Sequence, residues 1–340
     1  MSVAKPVDTR TRPVNARTRL ISRRGVVGGA LGALVGSPAY GQSYPNKPVR
    51  FVVPYPPGGG TDVIARIVQE PLAAAMGTSV IIDNRGGAGG SIGSEAVAKS
   101  APDGYTLLFT LSSHTINPGL FPKLAFDTEK DFASVSLIAS LPQILVAHPA
   151  VAAKDLRELI TLAKTKPDGF NYGSVGNGSP GHIAGALLDL KGGTKMQHIP
   201  YRGGGPAVID VMGGQIPLLW VSIPAVVQHV KSGRLKALAV STLKRSAVFP
   251  DVPTVAESGI ADFEVDSWFA MFAPAGTPRD IIGRWHQAVA TVLKQPDVRD
   301  KLLAQGAEGV GSTPEQLDKI VTTEITKWRD VITRANIKSD

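Results

Sequence analysis

The 340-residue sequence contains no cysteine. That excludes disulfides, thiolate metal sites, a cysteine nucleophile and a lipidated N-terminal cysteine. Charge is sparse as well: 19% of residues are charged against 43% hydrophobic, the balance of a packed globular chain. The net charge of +8 suggests a nucleic-acid partner until it is located. Lys5, Arg10, Arg12, Arg17, Arg19, Arg23 and Arg24, set against Asp8, account for +6 of it, leaving +2 for the rest. A nearly neutral body without a basic tract gives DNA or RNA binding little support. Metal spacing is also missing. The six histidines, at 114, 148, 182, 198, 229 and 286, form no H-E-x-x-H or similar pair. No metal and no cofactor are expected.

What is present begins with an export signal. Ser22-Arg23-Arg24 precedes an uncharged stretch rich in Gly, Ala and Val that ends in Ser-Pro-Ala-Tyr-Gly at 37–41. This three-part build predicts a cleavable leader over 1–41, and the paired arginines favour the twin-arginine route. The apolar stretch is too short and glycine-rich for a membrane span. A soluble periplasmic protein is expected, cut after Gly41.

The mature chain is organised around VRFVVPYPPGGGTDVIAR at 49–66. Val49 to Val53 reads as a buried strand, and Gly58, Gly59 and Gly60 lead into a helical pattern stopped by Gly77. Such a turn aims free N–H groups and the positive end of a helix dipole at one point above the sheet, where an anion is held. Sharp backbone angles alone also account for a lone glycine turn. Further strands are predicted at 79–82 and 105–110, with a helix at 91–100 between them. A run at 135–147 crosses out of the first lobe. The alternation restarts with helices at 154–165, 182–190, 207–212 and 225–231 and strands at 170–173, 196–199, 216–221 and 235–240. A second crossing at 267–273 and helices at 278–293, 297–305 and 314–334 follow. The reading is two α/β lobes of parallel sheet, joined by two crossings, with a cleft between them. The lobes are expected to be 42–142 plus 268–340, and 143–267.

Two motifs weaken on inspection. Gly176-Asn177-Gly178-Ser179-Pro180-Gly181 satisfies G-x-G-x-x-G, but no acid follows about twenty positions on to take a ribose. Gly89-Gly90-Ser91-Ile92-Gly93 satisfies G-x-S-x-G, but Ser91 lies far past its strand and reads as a helix N-cap. The glycine loops together point instead to anion binding. A carboxylate accepting about three such bonds gains roughly 1.5–3 kcal/mol from each, gross. That is of the order required for micromolar affinity, about −8 kcal/mol, without an arginine clamp.

Seven segments carry a family resemblance: YPNKPVR at 44–50, PYPPGGGTD at 54–62, NRGGAGG at 84–90, APDGYTLL at 101–108, NYGSVGNGSPGH at 171–182, DVPTVAESG at 251–259 and SWFAMFAPAGTP at 267–278. Over 44–335 the chain resembles the tripartite tricarboxylate transporter receptors, the Bug family of solute-binding proteins. The resemblance implies a type II periplasmic binding fold, α/β and two-lobed, closing without catalysis on a small carboxylate or amino acid delivered to membrane permease subunits. A monomer is expected. It further implies a first-lobe wall of Gly58, Gly59, Gly60, Thr61 and Asp62 facing Thr110, Ser112 and Ser113. Ser174, Gly176, Gly178, Ser179 and His182 would supply the second lobe, Tyr201, Arg202 and Gly203 the rim, and Asp210 a further contact. Trp268 and Phe269 are expected at the hinge or floor. Where similar proteins carry an acid after G-G-Q-[VI], this chain has Pro217-Leu218-Leu219-Trp220, so Trp220 is read either as a pocket wall favouring aromatic acids or as plain core. The alternatives are a sensor docking on a signalling receptor, or a serine hydrolase using Ser91 or Ser179.

Overall fold

The computed structural model describes residues 44–338 apart from 122, 167, 168 and 335, so the expected leader lies outside the described residues. In the first lobe, β1 (Val49–Val53) leads through the glycine turn into α1 (Gly60–Met76). Ile64, Ala65, Val68 and Leu72 recur at helical spacing and are buried, each large one contributing about 1.5–3 kcal/mol. Gly77 ends the helix in the left-handed conformation, φ 66°. Then follow β2 (Val80–Asn84), α2 (Ser91–Ala98), β3 (Thr106–Leu111) and α3 (Ser113–Leu120). β2, β1 and β3 are parallel neighbours. Val49, Phe51 and Val53 enter one apolar cluster and Val52 another, so β1 is covered on both faces.

β4 (Phe132–Ala147) is the first crossing. The second lobe comprises α4 (Leu156–Thr165), β5 (Asn171–Ser174), α5 (Pro180–Gly192), β6 (Gln197–Pro200), α6 (Gly204–Met212), β7 (Leu218–Ser222), α7 (Val227–Lys231) and β8 (Lys236–Val240). β5 runs parallel to β6 and β7. β9 (Asp266–Pro274) returns to the first lobe, followed by α8 (Arg279–Val292), α9 (Pro296–Ala304), β10 (Glu308–Gly309) and α10 (Pro314–Arg334). The order is β2-β1-β3-β9-β4-β7-β5-β6, with β8 and β10 also on β4.

The sheet is mixed where a parallel one was expected. β9 is antiparallel to both β3 and β4, and β4 is antiparallel to β7 and β8. The cause is the crossing itself: one strand carries the chain out and another carries it back between the same lobes. Pro142 sits where β4 leaves β9 and takes up β7, the register passing from Pro142↔Asp266 to Gln143↔Ser222. A proline there falls at a change of partner, not within an unbroken ladder. The last helix spans both halves. Leu317, Val321 and Ile325 join a first-lobe cluster, and Trp328 and Ile332 join a second-lobe cluster with Leu145 and Trp220. Between them, the half-buried Glu324 carboxylate accepts from the Thr115 hydroxyl at 2.7 Å and the Trp268 indole N–H at 3.0 Å. Trp220 is fully buried and stacks on Phe263, which places it in the core.

A chamber between the lobes

The start of α1 is built to keep its N–H groups bare. Its N-cap is Gly59, which has no side chain to turn back on them, and the first internal bond runs from Val63 N to Gly59 O. The Asp62 side chain serves the preceding loop. It accepts from Gly58 N at 3.0 Å, Arg66 Nε at 2.9 Å and Asn84 Nδ2 at 3.1 Å. Burial alone would raise its pKa, but these hydrogen bonds carry it below the usual carboxylate range. Asp62 therefore stays ionised as a loop brace.

The start of α6 is alike. Gly203 is its N-cap with no side-chain cap, and Gly204 and Gly205 open the helix. This helix begins three residues before the expected Ala207, since glycine and proline are tolerated in a first turn. The two uncapped termini meet across the lobes: a Cβ added to Gly59 would lie 3.5 Å from Gly204 N. Close approach is a real requirement at Gly60, where a Cβ would stand 2.1 Å from Ser222 Oγ. Elsewhere the lobes touch loop to loop, Gly89 against the Asn177 carbonyl and Gly203 against Pro56.

Between these termini lies a chamber of about 20 Å³. The first lobe contributes Tyr55, Gly59, Gly60, Thr61 and Leu111. The second contributes Val175, Pro180, Gly204 and Ser222, and the crossings contribute Gln143 and Ser267. No charged side chain lines it. The Ser267 hydroxyl is buried without a hydrogen-bond partner, as is that of Ser112, whose backbone N–H donates to Trp268 O. Burial pushes the Tyr55 phenol up to about 12, with the Ser113 and Thr110 hydroxyls pulling the other way, so it stays neutral. Its hydroxyl donates to Gly89 O at 3.2 Å. The Phe269 ring edge packs against Gly60, 3.7 Å from where a Cβ would stand.

Of the residues expected at the site, Gly59, Gly60 and Thr61 line the chamber and Gly58 supports them from behind. Thr110, Ser112 and Ser113 are buried beside it. The second-lobe group is placed differently. Ser179 Oγ caps α5 by accepting from His182 N at 3.2 Å, and His182 Nδ1 accepts from Gly178 N. Ser174 Oγ is engaged with Gly176 and, at 2.7 Å, with His198 Nε2. His198 stacks on His182 at 3.8 Å, and burial with the His182 charge lowers its pKa to about 3. Asp210 accepts from the Tyr201 hydroxyl at 2.8 Å. These side chains spend their polar groups inside the second lobe. Gln143, Ser222, Ser267 and Gly204 line the chamber without having been expected. Ser222 ends β7 at the carboxyl edge of the parallel strands, and that edge rule was the available signal.

Ser91 is the first residue of α2, with Gly90 as the N-cap, a correction to its expected capping role. A left-handed φ of 91° suits Gly90 to that position. The Ser91 hydroxyl donates to Ala88 O. Among the described residues, no group of three His, Asp or Glu side chains could hold a metal ion, and no helix is long and apolar enough to cross a membrane.

Residues 64–337 match the model of the tripartite tricarboxylate transporter family receptor. The chain belongs to that receptor family. BugT of Bordetella pertussis is 38% identical over 323 residues, which is 94% of this chain and 98% of that protein. Among solved structures, an R. palustris protein with adipate is 33% identical with a TM-score of 0.84, covering 87% of this chain and 99% of the other. MatC from Rhodopseudomonas palustris with bound malate is 35% identical with a TM-score of 0.82, covering 85% of this chain and all of the other. The receptor has the two-lobed fold of periplasmic binding proteins.

Proposed function

We infer that this receptor is a periplasmic solute-binding protein that holds a small carboxylate in the chamber and delivers it, unchanged, to the permease of a tripartite tricarboxylate-type carrier. One observation carries the reading: two uncapped helix N-termini, one from each lobe, line the same chamber as the unpartnered Ser267 hydroxyl. Each terminus presents unpaired N–H groups and about half a positive charge. Together with the hydroxyls of Thr61, Ser222 and Ser267 they complement a carboxylate without a lysine or arginine. The adipate and malate in the related structures agree with this chemistry.

Closure then follows from binding. The ligand touches both lobes only when they are together, so it draws an open ensemble toward the closed arrangement. The basic leader at 1–41 would bring the chain to the periplasm and be removed there. A thermal-shift and calorimetric screen of organic acids tests the reading. At least one acid raises the melting temperature and binds with micromolar or better affinity; a flat response across mono-, di- and tricarboxylates contradicts it.

A further inference from the structure

The two crossing strands show different residues on their two faces. Gln143 and Ser267 line the chamber, while Pro142 and Asp266, each one position earlier in its strand, line a separate space of about 330 Å³. Successive strand residues point to opposite sides of a sheet, and Pro142 and Asp266 are register partners. This space therefore lies behind the crossing, on the face turned away from the chamber. Its walls come from both lobes. The loop after β8 supplies Leu243 and Lys244 on one side, and the end of α9 and β10 supply Leu303 and Glu308 on the other.

Each wall carries an apolar side chain left in water. Leu243 is 55% exposed and Leu303 38% exposed, although both line the same crevice. Lys244 and Glu308, on the same two walls, enter none of the ion pairs among the described residues. At the front the lobes are already in contact, Gly59 against Gly204 and Gly60 against Ser222. A crossing that serves as the pivot couples front to back. Rotation that parts Gly59 from Gly204 swings the rear walls toward each other, so opening the cleft narrows the crevice.

We propose a rear latch, an inference that rests on closure of the lobes over the ligand: Leu243 and Leu303 meet when the cleft opens, bury each other, and hold the ligand-free receptor open. Removing two leucine side chains from water favours the open state, and Lys244 with Glu308 adds a weaker, screened attraction. Only the closed fraction grips the ligand fully, so the latch lowers apparent affinity in proportion to that fraction. Two residues that touch no ligand thereby set how tightly it is held.

The sequence has no cysteine, so a Leu243→Cys/Leu303→Cys double variant reads the meeting directly. Oxidation of the ligand-free protein with diamide should join the two thiols within one chain. Small-angle scattering should then show a larger radius of gyration than in the reduced form. Titrated with butyrate, adipate and citrate as probes, the oxidised form should bind more than about a hundredfold more weakly, with recovery on reduction. Leu243→Ala and Leu303→Ala should each tighten binding of an acid that wild type binds, by about threefold to tenfold. Thiols that stay free, an oxidised form as compact as the reduced one, or alanine variants that bind as wild type does overturn the latch and leave the carboxylate reading standing. No binding of any of the three acids, with the disulfide still forming and expanding the protein, overturns the carboxylate reading and leaves the latch standing.

Discussion

Residues 54–62 of the first lobe and 174–182 of the second are both strand-to-helix loops rich in glycine, yet their helices start in different chemical states. At α1 the N-cap is glycine, and no side chain caps the first-turn N–H groups of Gly60 and Thr61. At α5 the N-cap is Ser179, which takes the His182 N–H for itself, and Pro180 has no N–H to offer. Gly181 is the remaining first-turn residue, and its Cα lies so close to β7 that a Cβ would stand 2.6 Å from the Trp220 carbonyl oxygen. The terminus that answers α1 from the second lobe is α6, headed by Gly203 and Gly204. A glycine loop with a bare cap keeps its first-turn N–H groups available to an anion; with a serine cap the same geometry stabilises the fold instead.

Substitutions that confuse the two states should break this contrast. Gly60→Val places a Cβ 2.1 Å from Ser222 Oγ and adds methyls inside the chamber. Carboxylate affinity should fall more than about a hundredfold by calorimetry, and the ligand-free melting temperature should fall as well, because Ser222 has to shift away from the added Cβ. Ser267→Ala should act in opposite directions on the two properties. It removes an unpartnered buried hydroxyl, so the ligand-free protein holds or gains stability, while affinity drops by about tenfold. Ser179→Ala should do the reverse. Losing the α5 cap costs about 1 kcal/mol and a few degrees of melting temperature, with affinity changed by less than about threefold.

A separate effect concerns pH. His114 is fully buried among Phe126, Phe132 and Phe272 with neither ring nitrogen bonded, and burial lowers its pKa from 6.5 to about 3. Between those values the unfolded chain takes up a proton that the folded ring refuses, so stability falls as pH drops through that window. The slope from this residue reaches about 1.4 kcal/mol per pH unit, and His198 adds a similar one. Melting curves from pH 7 to pH 4 should show a shallower decline for His114→Phe than for wild type.

Much of the fold was legible because its signals are local. The apolar run at 49–53, the helical spacing that ends at Gly77 and the restart after β4 all gave the right elements, and α10 was placed at its true ends. The antiparallel β9 was not legible, because strand direction depends on where the chain has travelled. α3 was hidden by Pro118 and Gly119, breaking signals that the burial of Ile116 and Leu120 in one apolar cluster overrides. At the site, glycine turns could be found but capping could not, since a serine beside a glycine reads alike whether its hydroxyl faces a ligand or its own helix. Ser222 and Ser267 are lone serines in apolar strands, and only the crossing geometry makes them neighbours of Gly60.

The most direct test is amide-resolved NMR of the ¹⁵N-labelled protein titrated with a carboxylate that binds. Saturable downfield shifts centred on the amides of Gly60, Thr61, Gly204 and Gly205, with those of Gly178 and His182 little moved, are the predicted result. A titration that shifts the 174–182 amides while Gly60 and Gly204 stay still would contradict the assignment of the anion site to the uncapped termini.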